Sequence, residues 1–426
     1  MSHSHSILGD NYETIAGKYR PIFGRIAATA LQREKERRLG TDAIQWLKEA
    51  RFGAVRVPVE FGGDGASLPQ LFQLLIELAE ADSNLTQALR GHFAFVEDRL
   101  NAPRNEQTAI WLRRFANGDL VGNAWTEVGD IPIGEVITRV SRQGERFVVN
   151  GQKFYSTGSI FADWVDLFAR RDDDDSDVIA AVSTHQPGVT HQDDWDGFGQ
   201  RTTGSGTSTY QNAVVEEENI IPFSTRFKYQ TAFYQLFHLA TLAGIARAAT
   251  HDVTQQVRAR KRIFSTGNAP AAALDAQVQQ VVGEVSALAY AAEAITIRAA
   301  FSAQWAYDAH WQNDAEAEKQ ANIAAELESA QGQVIVSDLV LKASTLLFNA
   351  LGASAASSSK ALDRHWRNAR TVASHNPLIY KARIIGDWHI NGTEPPYVWQ
   401  IGAGPGKNST QITEPRSNTS ASIATH

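Results

Sequence analysis

The spacing of apolar residues changes twice along this chain, and this change limits the possible folds more than any other feature of the 426 residues. Residues 10–120 place apolar side chains at helical spacing, whereas residues 121–225 contain short β-branched and alternating runs separated by Gly, Asp and Asn. The helical spacing returns over residues 226–395, and residues 396–426 form a polar tail. The sequence therefore predicts an α+β fold with an N-terminal helical domain, a central β-barrel or β-sandwich, and a C-terminal four-helix bundle.

The composition excludes several kinds of function. The chain lacks cysteine, so it has no disulfides, thiol nucleophiles, thiolate zinc sites or iron–sulfur clusters, and we expect no metal site. The formal net charge of −7 gives no attraction for nucleic acid or an anionic membrane. No apolar run approaches the roughly 18 residues of a membrane helix, and the N-terminus lacks the regions of a signal peptide. We therefore expect a cytoplasmic protein that contacts neither nucleic acid nor membrane.

Several familiar catalytic motifs are also missing. No Gly-x-Gly-x-x-Gly follows a strand, and the order of elements is not that of a doubly wound sheet, which argues against a Rossmann site. Gly406-Lys407-Asn408 lacks the hydroxyl residue and the upstream glycine of a phosphate-binding loop. Neither a nucleophile elbow nor a His-Glu-x-x-His motif occurs, so serine hydrolases and zinc peptidases are set aside.

Residues 361–386 combine a cationic helix with a titratable side chain. Arg364, Arg367 and Arg370 recur every third residue, and the segment Ser374-His375-Asn376-Pro377 then interrupts the helix. The break is expected because proline disfavours helical geometry in the residue before it. This arrangement suits an anionic ligand held beside His375. The alternative is a surface helix with solvated arginines and a histidine that caps a turn.

Four segments resemble, in the same order, the motifs of the acyl-CoA dehydrogenase superfamily. VPVEFGGDG at 57–65 resembles its N-terminal loop, and AWTE at 124–127 resembles its first flavin-contacting strand. NGQKFYSTG at 150–158, continued by ADW at 162–164, resembles the second flavin strand, and residues 197–215, beginning GFGQR, resemble the last β segment. The resemblance implies a flavin between the β domain and the bundle, with neighbouring subunits of a homotetramer completing the site.

The same resemblance implies which residues contact the flavin. Hydroxyl side chains would meet the isoalloxazine edge, an aromatic side chain would lie against the ring, and an arginine after the first bundle helix would bind phosphate. The hydroxyl residues are Thr126, Ser156 and Thr157, the aromatic residue is Trp125 or Tyr155, and the arginine is Arg262. For Ser156 and Thr157 the alternative is ordinary strand chemistry.

A dehydrogenase of this superfamily needs a carboxylate base, and the sequence does not supply one at the usual places. The loop at 371–377 contains no acidic residue. Residues 231–250, the alternative location in the first bundle helix, contain neither Asp nor Glu but do contain His238.

A second branch of the superfamily fits better. DRHWRNART at 363–371, HNP at 375–377 and YK at 380–381 resemble the two-component flavin monooxygenases typified by dibenzothiophene monooxygenase. This resemblance implies reduced FMN from a separate NAD(P)H–flavin reductase, O2, and a C4a-(hydro)peroxyflavin that oxygenates a small apolar sulfur-, nitrogen- or aromatic-containing compound. FAD is the alternative cofactor, and an acyl-CoA dehydrogenase with an unrecognised base is the alternative function.

The branch also implies the remaining site residues. His375 would exchange a proton with the oxygenated flavin, because histidine titrates near neutrality. The other expected catalytic residues are His92 facing the flavin, and Asn123 and Ser156 near its reactive edge. Trp195 and His238 are expected at the substrate, and Arg370, Asn349 and Gly352 would reach the flavin from an adjacent subunit. The turn at 349–352 lacks the paired glycines that meet FAD in many dehydrogenases, which favours FMN.

Three of these assignments have a competing structural interpretation. His92 could instead be a capping or core histidine, and Trp195 could be a buried tryptophan of the β domain. The helix arginines could form ordinary surface pairs with Asp363.

Overall fold

Helices at both ends of the chain flank a central sheet in the computed structural model, which describes residues 7–9 and 11–399. The predicted tail at 396–426 therefore lies almost wholly outside the described residues. In the described part, the first five α-helices are α1 Tyr12–Glu36, α2 Thr41–Glu49, α3 Leu68–Ala88, α4 Arg90–Asn101 and α5 Glu106–Asn117.

The junction of α3 and α4 is the part of the N-terminal domain that matters for the site. Ser67 and Gln70 form a capping box at the start of α3, which fixes where this helix begins. Both helices are buried along nearly their whole length, and only Leu89 separates them. The first residues of α4 are therefore held rigidly inside the protein.

The central domain is one mixed sheet. Its strands are β1 Val121–Ala124, β2 Arg139–Gln143, β3 Arg146–Lys153, β4 Trp164–Arg171, β5 Asp177–Ser183, β6 Val189–His191, β7 Ser208–Val215 and β8 Ile220–Pro222. They follow the order β6-β7-β3-β2-β4-β5-β8, and β1 pairs in parallel with β4. The β domain is confirmed, but the described strands do not close into a barrel, because β6 and β8 remain at the two edges.

The C-terminal region consists of α6 Gln230–Ala259, α7 Ala276–His310, α8 Ala315–Leu346, α9 Asp363–Ala373 and α10 Lys381–Asn391. The first three are long and pack through small side chains such as Ala292, Ala299 and Ala325. The shorter α9 packs against α6 and α8 and takes the fourth position of the predicted bundle.

The element bounds lie close to the predicted domain limits. The last N-terminal helix ends at Asn117, four residues before β1, and the bundle begins at Gln230, shortly after β8. The domain boundaries themselves stay predictions.

One stretch among the described residues, Ala315–Ala350, is long and apolar enough to span a membrane by length and composition. The expectation that no segment approaches this length was therefore wrong. The core helix of a soluble protein passes the same test, and α8 packs here against α6, α7 and α9.

Candidate functional site

A group of polar side chains meets where α4, α6 and the loop after α9 come together. We call Arg90, Tyr234, His238, His375 and Asn376 the polar cluster. The Arg90 Nη2 atom lies 3.4 Å from His375 Nε2, and its guanidinium lies 5.2 Å from the centre of the Tyr234 ring. The rings of His238 and His375 are 4.3 Å apart. Residues that are far apart in the sequence thus form one site.

Asn376 anchors the loop after α9 to the bundle. Its side-chain amide donates to Gln235 Oε1 at 2.8 Å, and its backbone carbonyl accepts from Gln333 Nε2 at 2.9 Å. The predicted break at Pro377 is confirmed, because α9 ends at Ala373. The break turns the chain inward and so brings His375 onto His238.

The neighbours of the two histidines select their tautomers. His375 Nδ1 faces the Asn376 Oδ1 acceptor at 3.3 Å, while its Nε2 faces an Arg90 donor. His238 Nδ1 faces the Asn376 Nδ2 donor at 3.4 Å. The proton therefore sits on Nδ1 of His375 and on Nε2 of His238. The His238 Nε2 atom is buried and has no hydrogen-bond partner among the described residues.

The surroundings of both histidines favour the neutral form of the ring. Burial lowers the pKa of His238 well below its ordinary value, and the neighbouring His375 and Arg90 lower it further. His375 keeps an exposed face, yet the atoms around its ring and the Arg90 charge lower its pKa too. These surroundings favour the neutral imidazole of His375, with its lone pair at Nε2, and the proton exchange expected of this residue stays a prediction.

Two buried oxygens of the β domain lack partners in the described part of the chain, the Oδ1 of Asn123 and the Oγ of Ser156. Asn123 lies on β1 beside α4, since a Cβ added at Gly91 would be 2.8 Å from its own Cβ. Ser159 joins the two residues: its N–H donates to the Ser156 carbonyl and its Oγ donates to the Asn123 carbonyl. Both oxygens are thus positioned by backbone contacts and left free for a ligand.

The remaining predicted residues of the β domain have the following places. Trp125 donates from Nε1 to Asp166 at 3.0 Å and meets Tyr234 edge-on at 5.8 Å, which links the sheet to the polar cluster. Thr126 pairs with Phe154 in an isolated bridge. The buried Thr157 Oγ lies 2.8 Å from Ser205 Oγ, so this hydroxyl already has a partner.

Tyr155 and Trp195 form an exposed aromatic pair. Tyr155 has a positive φ of 56° and is half exposed, and its ring meets that of Trp195 edge-on at 5.9 Å. The Trp195 Nε1 donates to the Gly199 carbonyl at 3.2 Å. Trp195 keeps a partly accessible ring, so it is not a fully buried tryptophan of the β domain.

The contacts of His92 favour the alternative interpretation, a core histidine, over a residue that faces the flavin. Its ring is fully buried, with Nε2 2.8 Å from the Gly53 carbonyl and Nδ1 3.2 Å from the Val121 N–H. Both nitrogens are therefore used by the backbone. The ring also packs edge-on against Phe93 and Phe115, so His92 is a core histidine of the N-terminal domain.

Three of the predicted cofactor residues form a separate group at the far end of α6. Arg262 is exposed in the loop after α6, and its carbonyl accepts from Arg260, whose Nη1 donates to the Ala350 carbonyl. This loop therefore packs on the turn that holds Asn349 and Gly352. At about 1.5 Å per residue, the end of α6 lies about 30 Å from His238. One flavin cannot contact both groups within a single chain.

The three arginines of α9 have different partners. Arg364 pairs with Asp252, and Arg367 pairs with Glu34 and with Asp363. Arg370 instead donates to Ser374 Oγ and has no ion pair among the described residues. Ordinary surface pairing thus accounts for two members of the cationic stripe and leaves Arg370 open to a ligand.

Sequence reasoning missed Arg90, Tyr234, Gln235, Gln333 and Asn376 as site residues. One usable signal was Arg90 itself, a cation placed between apolar helical residues from Leu85 to Phe93. The glutamines gave no signal, because their importance depends on contact with Asn376.

A cleft of about 680 Å³ lies elsewhere, between α1, α3, α6 and α9. It contains no residue of the polar cluster. Several of its charged groups pair with one another, with Arg364 and His365 on Asp252 and Arg247 on Glu80. A buried atom of its lining that has no partner among the described residues, Glu34 Oε2, is an acceptor, whereas the polar cluster has unpartnered donors.

Comparison with known proteins agrees with this architecture. The family models "Acyl-CoA dehydrogenase, N-terminal domain" and "Acyl-CoA dehydrogenase, C-terminal domain" match residues 22–119 and 236–378. A relative from Pseudomonas putida, named "Probable FMNH2-dependent monooxygenase SfnC", is 27% identical over 389 residues, covering 88% of this chain and 94% of its own.

Two solved structures have the same fold. The TdsC protein of Paenibacillus sp. A11-2, in complex with FMN and indole, is 26% identical with a TM-score of 0.80. Methanesulfinate monooxygenase MsuC of Pseudomonas fluorescens is 25% identical, also with a TM-score of 0.80. In each case the match covers 90% of this chain and 98% of the other. Because the two family models span more than half of the sequence and the fold agrees throughout, this chain belongs to the acyl-CoA dehydrogenase superfamily.

Proposed function

We propose that this protein is the oxygenase component of a two-component monooxygenase, which uses reduced FMN from a separate NAD(P)H–flavin reductase and O2 to oxygenate a small sulfur-, nitrogen- or aromatic-containing compound. One observation carries the proposal: the polar cluster holds a neutral histidine beside an arginine, and no carboxylate within the described part of the chain bonds to its members. A thioester dehydrogenase needs such a carboxylate. The names of SfnC, TdsC and MsuC support this choice.

The residues present fit a flavin. A flavin ring carries hydrogen-bonding groups along one edge, and the unpartnered Asn123 Oδ1 and Ser156 Oγ are buried oxygens suited to that edge. The buried Thr157 lies next to them, and the Trp125 indole closes the gap between sheet and α6. When bound, reduced FMN supplies the electrons that activate O2.

The side chains of the polar cluster then perform the proton chemistry. His375 keeps an exposed face, and its Nε2 lone pair, which faces Arg90 at 3.4 Å, can accept a proton from a ligand that displaces that contact. The His238 Nε2–H is a fixed donor, since Asn376 occupies its other nitrogen. The Arg90 guanidinium supplies positive charge where negative charge develops. Together these groups provide a donor, an acceptor and a cation.

The proposal includes a cytoplasmic homotetramer. Sharing of sites between subunits would account for the separation of Arg262, Asn349 and Gly352 from the polar cluster. Aromatic side chains on the outer face of α7, including Tyr290 and Trp305, are exposed in the single chain and would be covered in an assembly. The absence of cysteine is compatible with a reducing compartment, where NAD(P)H is available.

The proposal is tested with purified protein, chemically reduced FMN and labelled O2. We expect a labelled oxygen atom in the product of at least one compound from a panel of organosulfinates, thiophenes, amines and indoles, detected by mass spectrometry. His375→Ala should lower product formation about 100-fold while reduced FMN is still oxidised, because only proton transfer is lost. The exposed His251→Ala is the control. Reduction of a dye by an acyl-CoA, with no labelled product, would show that the protein is a dehydrogenase.

A further inference from the structure

Arg90 differs from every other buried arginine in the described part of the chain. The four others each form an ion pair with a carboxylate: Arg33 with Asp82, Arg56 with Glu97, Arg99 with Asp98, and Arg226 with Asp166. Arg90 is 6% exposed and has no carboxylate partner among the described residues. Its polar contact is with His375, and its Nε has no hydrogen-bond partner within the described residues.

A buried, unpaired guanidinium is costly for the folded protein. Removing a charge from water without a partner costs several kcal/mol, which is why buried cations are normally paired. Tyr234 offsets part of this cost through its ring face. A side chain that destabilises the empty protein is expected where a ligand supplies the missing partner.

The surroundings of Arg90 indicate what this ligand carries. Two buried donors lack hydrogen-bond partners in the described part of the chain, the Arg90 Nε–H and the His238 Nε2–H. Two unpartnered donors in one polar cluster that carries a cation suit an oxyanion, and a guanidinium can bind such a group through two parallel hydrogen bonds. The oxygens of Asn123 and Ser156 that suit the flavin edge belong to the sheet, whereas Arg90 is directed toward Tyr234 of α6 and His375.

We propose that Arg90, with His238, binds an anionic oxygen group of the substrate, so that the preferred substrates are small organic oxyanions such as sulfinates or carboxylates and not neutral aromatic compounds. This inference rests on the proposed monooxygenase function. For a sulfinate the reaction balances simply: one atom of O2 forms a new S–O bond with the sulfur lone pair and gives a sulfonate. The other atom leaves as water, with two electrons from reduced FMN and two protons.

Binding is tested first, without flavin, because it does not depend on activity. Benzenesulfinate is compared with the neutral isostere methyl phenyl sulfoxide by isothermal titration calorimetry. Wild-type protein should bind the sulfinate, and Arg90→Gln should bind it about 10- to 100-fold more weakly, the loss expected for a hydrogen bond to a charged group. Arg90→Lys, which keeps the charge but not the planar fork, should give an intermediate affinity. Equal affinities for both probes, or unchanged sulfinate binding in Arg90→Gln, would overturn the proposal.

Steady-state kinetics with reduced FMN then separate the substrate from the flavin. If Arg90 binds the substrate, Arg90→Gln raises the KM for benzenesulfinate and leaves the affinity for reduced FMN unchanged. If Arg90→Gln weakens the binding of reduced FMN instead, Arg90 contacts the flavin and the inference is refuted. If the protein binds sulfinate through Arg90 but forms no oxygenated product, the binding site proposed here stands and only the proposed monooxygenase function is refuted.

Stability provides the control for folding. Arg90→Gln removes an unpaired buried charge, so its Tm without ligands should equal or exceed that of the wild type. Arg33→Gln breaks the buried pair with Asp82 and should lower the Tm. An equal decrease in both variants would mean that Arg90 is a structural residue, against the proposal.

Discussion

At the scale of single residues, the histidines of this protein differ by which ring nitrogens the protein itself occupies. His92 has both nitrogens bonded to backbone groups and is fully enclosed. His238 keeps one buried N–H that has no partner among the residues that the structure describes, and His375 keeps an exposed face and a lone pair facing Arg90. A histidine can act on a ligand only if the ligand can reach a ring nitrogen. The exposed face of His375 and the unpartnered nitrogen of His238 allow this, so they remain candidates for the site, whereas the enclosed His92 does not fit that role.

His92 should make the stability of the protein depend on pH. Burial lowers its pKa to about 4, while nearby Asp163 and Lys48 act in opposite directions. The unfolded chain, with a histidine pKa of about 6.5, then binds more protons at mildly acidic pH, so the folded state loses up to about 1.4 kcal/mol per pH unit as the pH falls from 6.5 toward 4.

Urea unfolding at pH 7.5 and pH 5 measures this effect. His92→Gln, whose amide can still donate to Gly53 and accept from Val121, should be about 1–3 kcal/mol less stable at pH 7.5 but lose less stability on acidification. The exposed His251→Gln serves as the control. An unchanged pH dependence in His92→Gln would contradict the assignment.

At the scale of elements, one turn connects the sheet to the helices that carry the polar cluster. The turn after β3 contains Ser156, Thr157 and Gly158, and Gly158 has a φ of 79°. A Cβ at Gly158 would overlap the carbonyl oxygen of Ala88, the last residue of α3. The backbone of the turn therefore touches the α3–α4 junction directly, which places Ser156 close to Asn123.

Substitution of Gly158 should destabilise the protein, and a second glycine, Gly134, separates the effect of backbone overlap from that of the positive φ. Gly158→Ala combines an unfavourable positive φ with backbone overlap, so we expect it to lower the free energy of unfolding by about 2 kcal/mol or more. Gly134→Ala has a similar φ of 85° but open space around it, so it should cost only about 1 kcal/mol. Denaturant unfolding measures both; equal losses would mean that the contact with Ala88 is unimportant.

At the scale of the whole molecule, the predicted flavin residues are distributed over two ends of the bundle. The polar cluster is at one end, and Arg262 lies with Asn349 and Gly352 at the other. The rise of α6 separates them by about 30 Å, so a site that uses both groups requires two chains.

Mixing two inactive variants tests this arrangement. His375→Ala and Arg262→Ala should each be poorly active alone, but co-expression should restore roughly a quarter of wild-type activity, because half of the random chain pairs are mixed and each mixed pair keeps one intact site. Product formation per mole of protein is the measurement, and sedimentation analysis gives the assembly size. Absence of recovery would place the whole site within one chain.

Site residues marked by a local sequence signal could be predicted, whereas those defined by contacts between distant segments could not. The break at Pro377 is a local signal, and it located His375. Arg370 was separable from its neighbours only after Asp252, Glu34 and Asp363 were seen to pair with Arg364 and Arg367. Glu34 is more than 300 positions away in the sequence, and no pattern along the chain could have selected it.

The sequence by itself determined the order of helical, β and helical domains, because the period of apolar residues is a local property of each element. Its motifs also determined the superfamily. Only the tertiary structure decided which polar groups are free. The sequence made His92 a candidate site residue and gave Arg90 no role, whereas the packing of the folded chain favours Arg90 over His92. Burial and the nearest partners, not residue type, set the protonation state and the availability of a side chain.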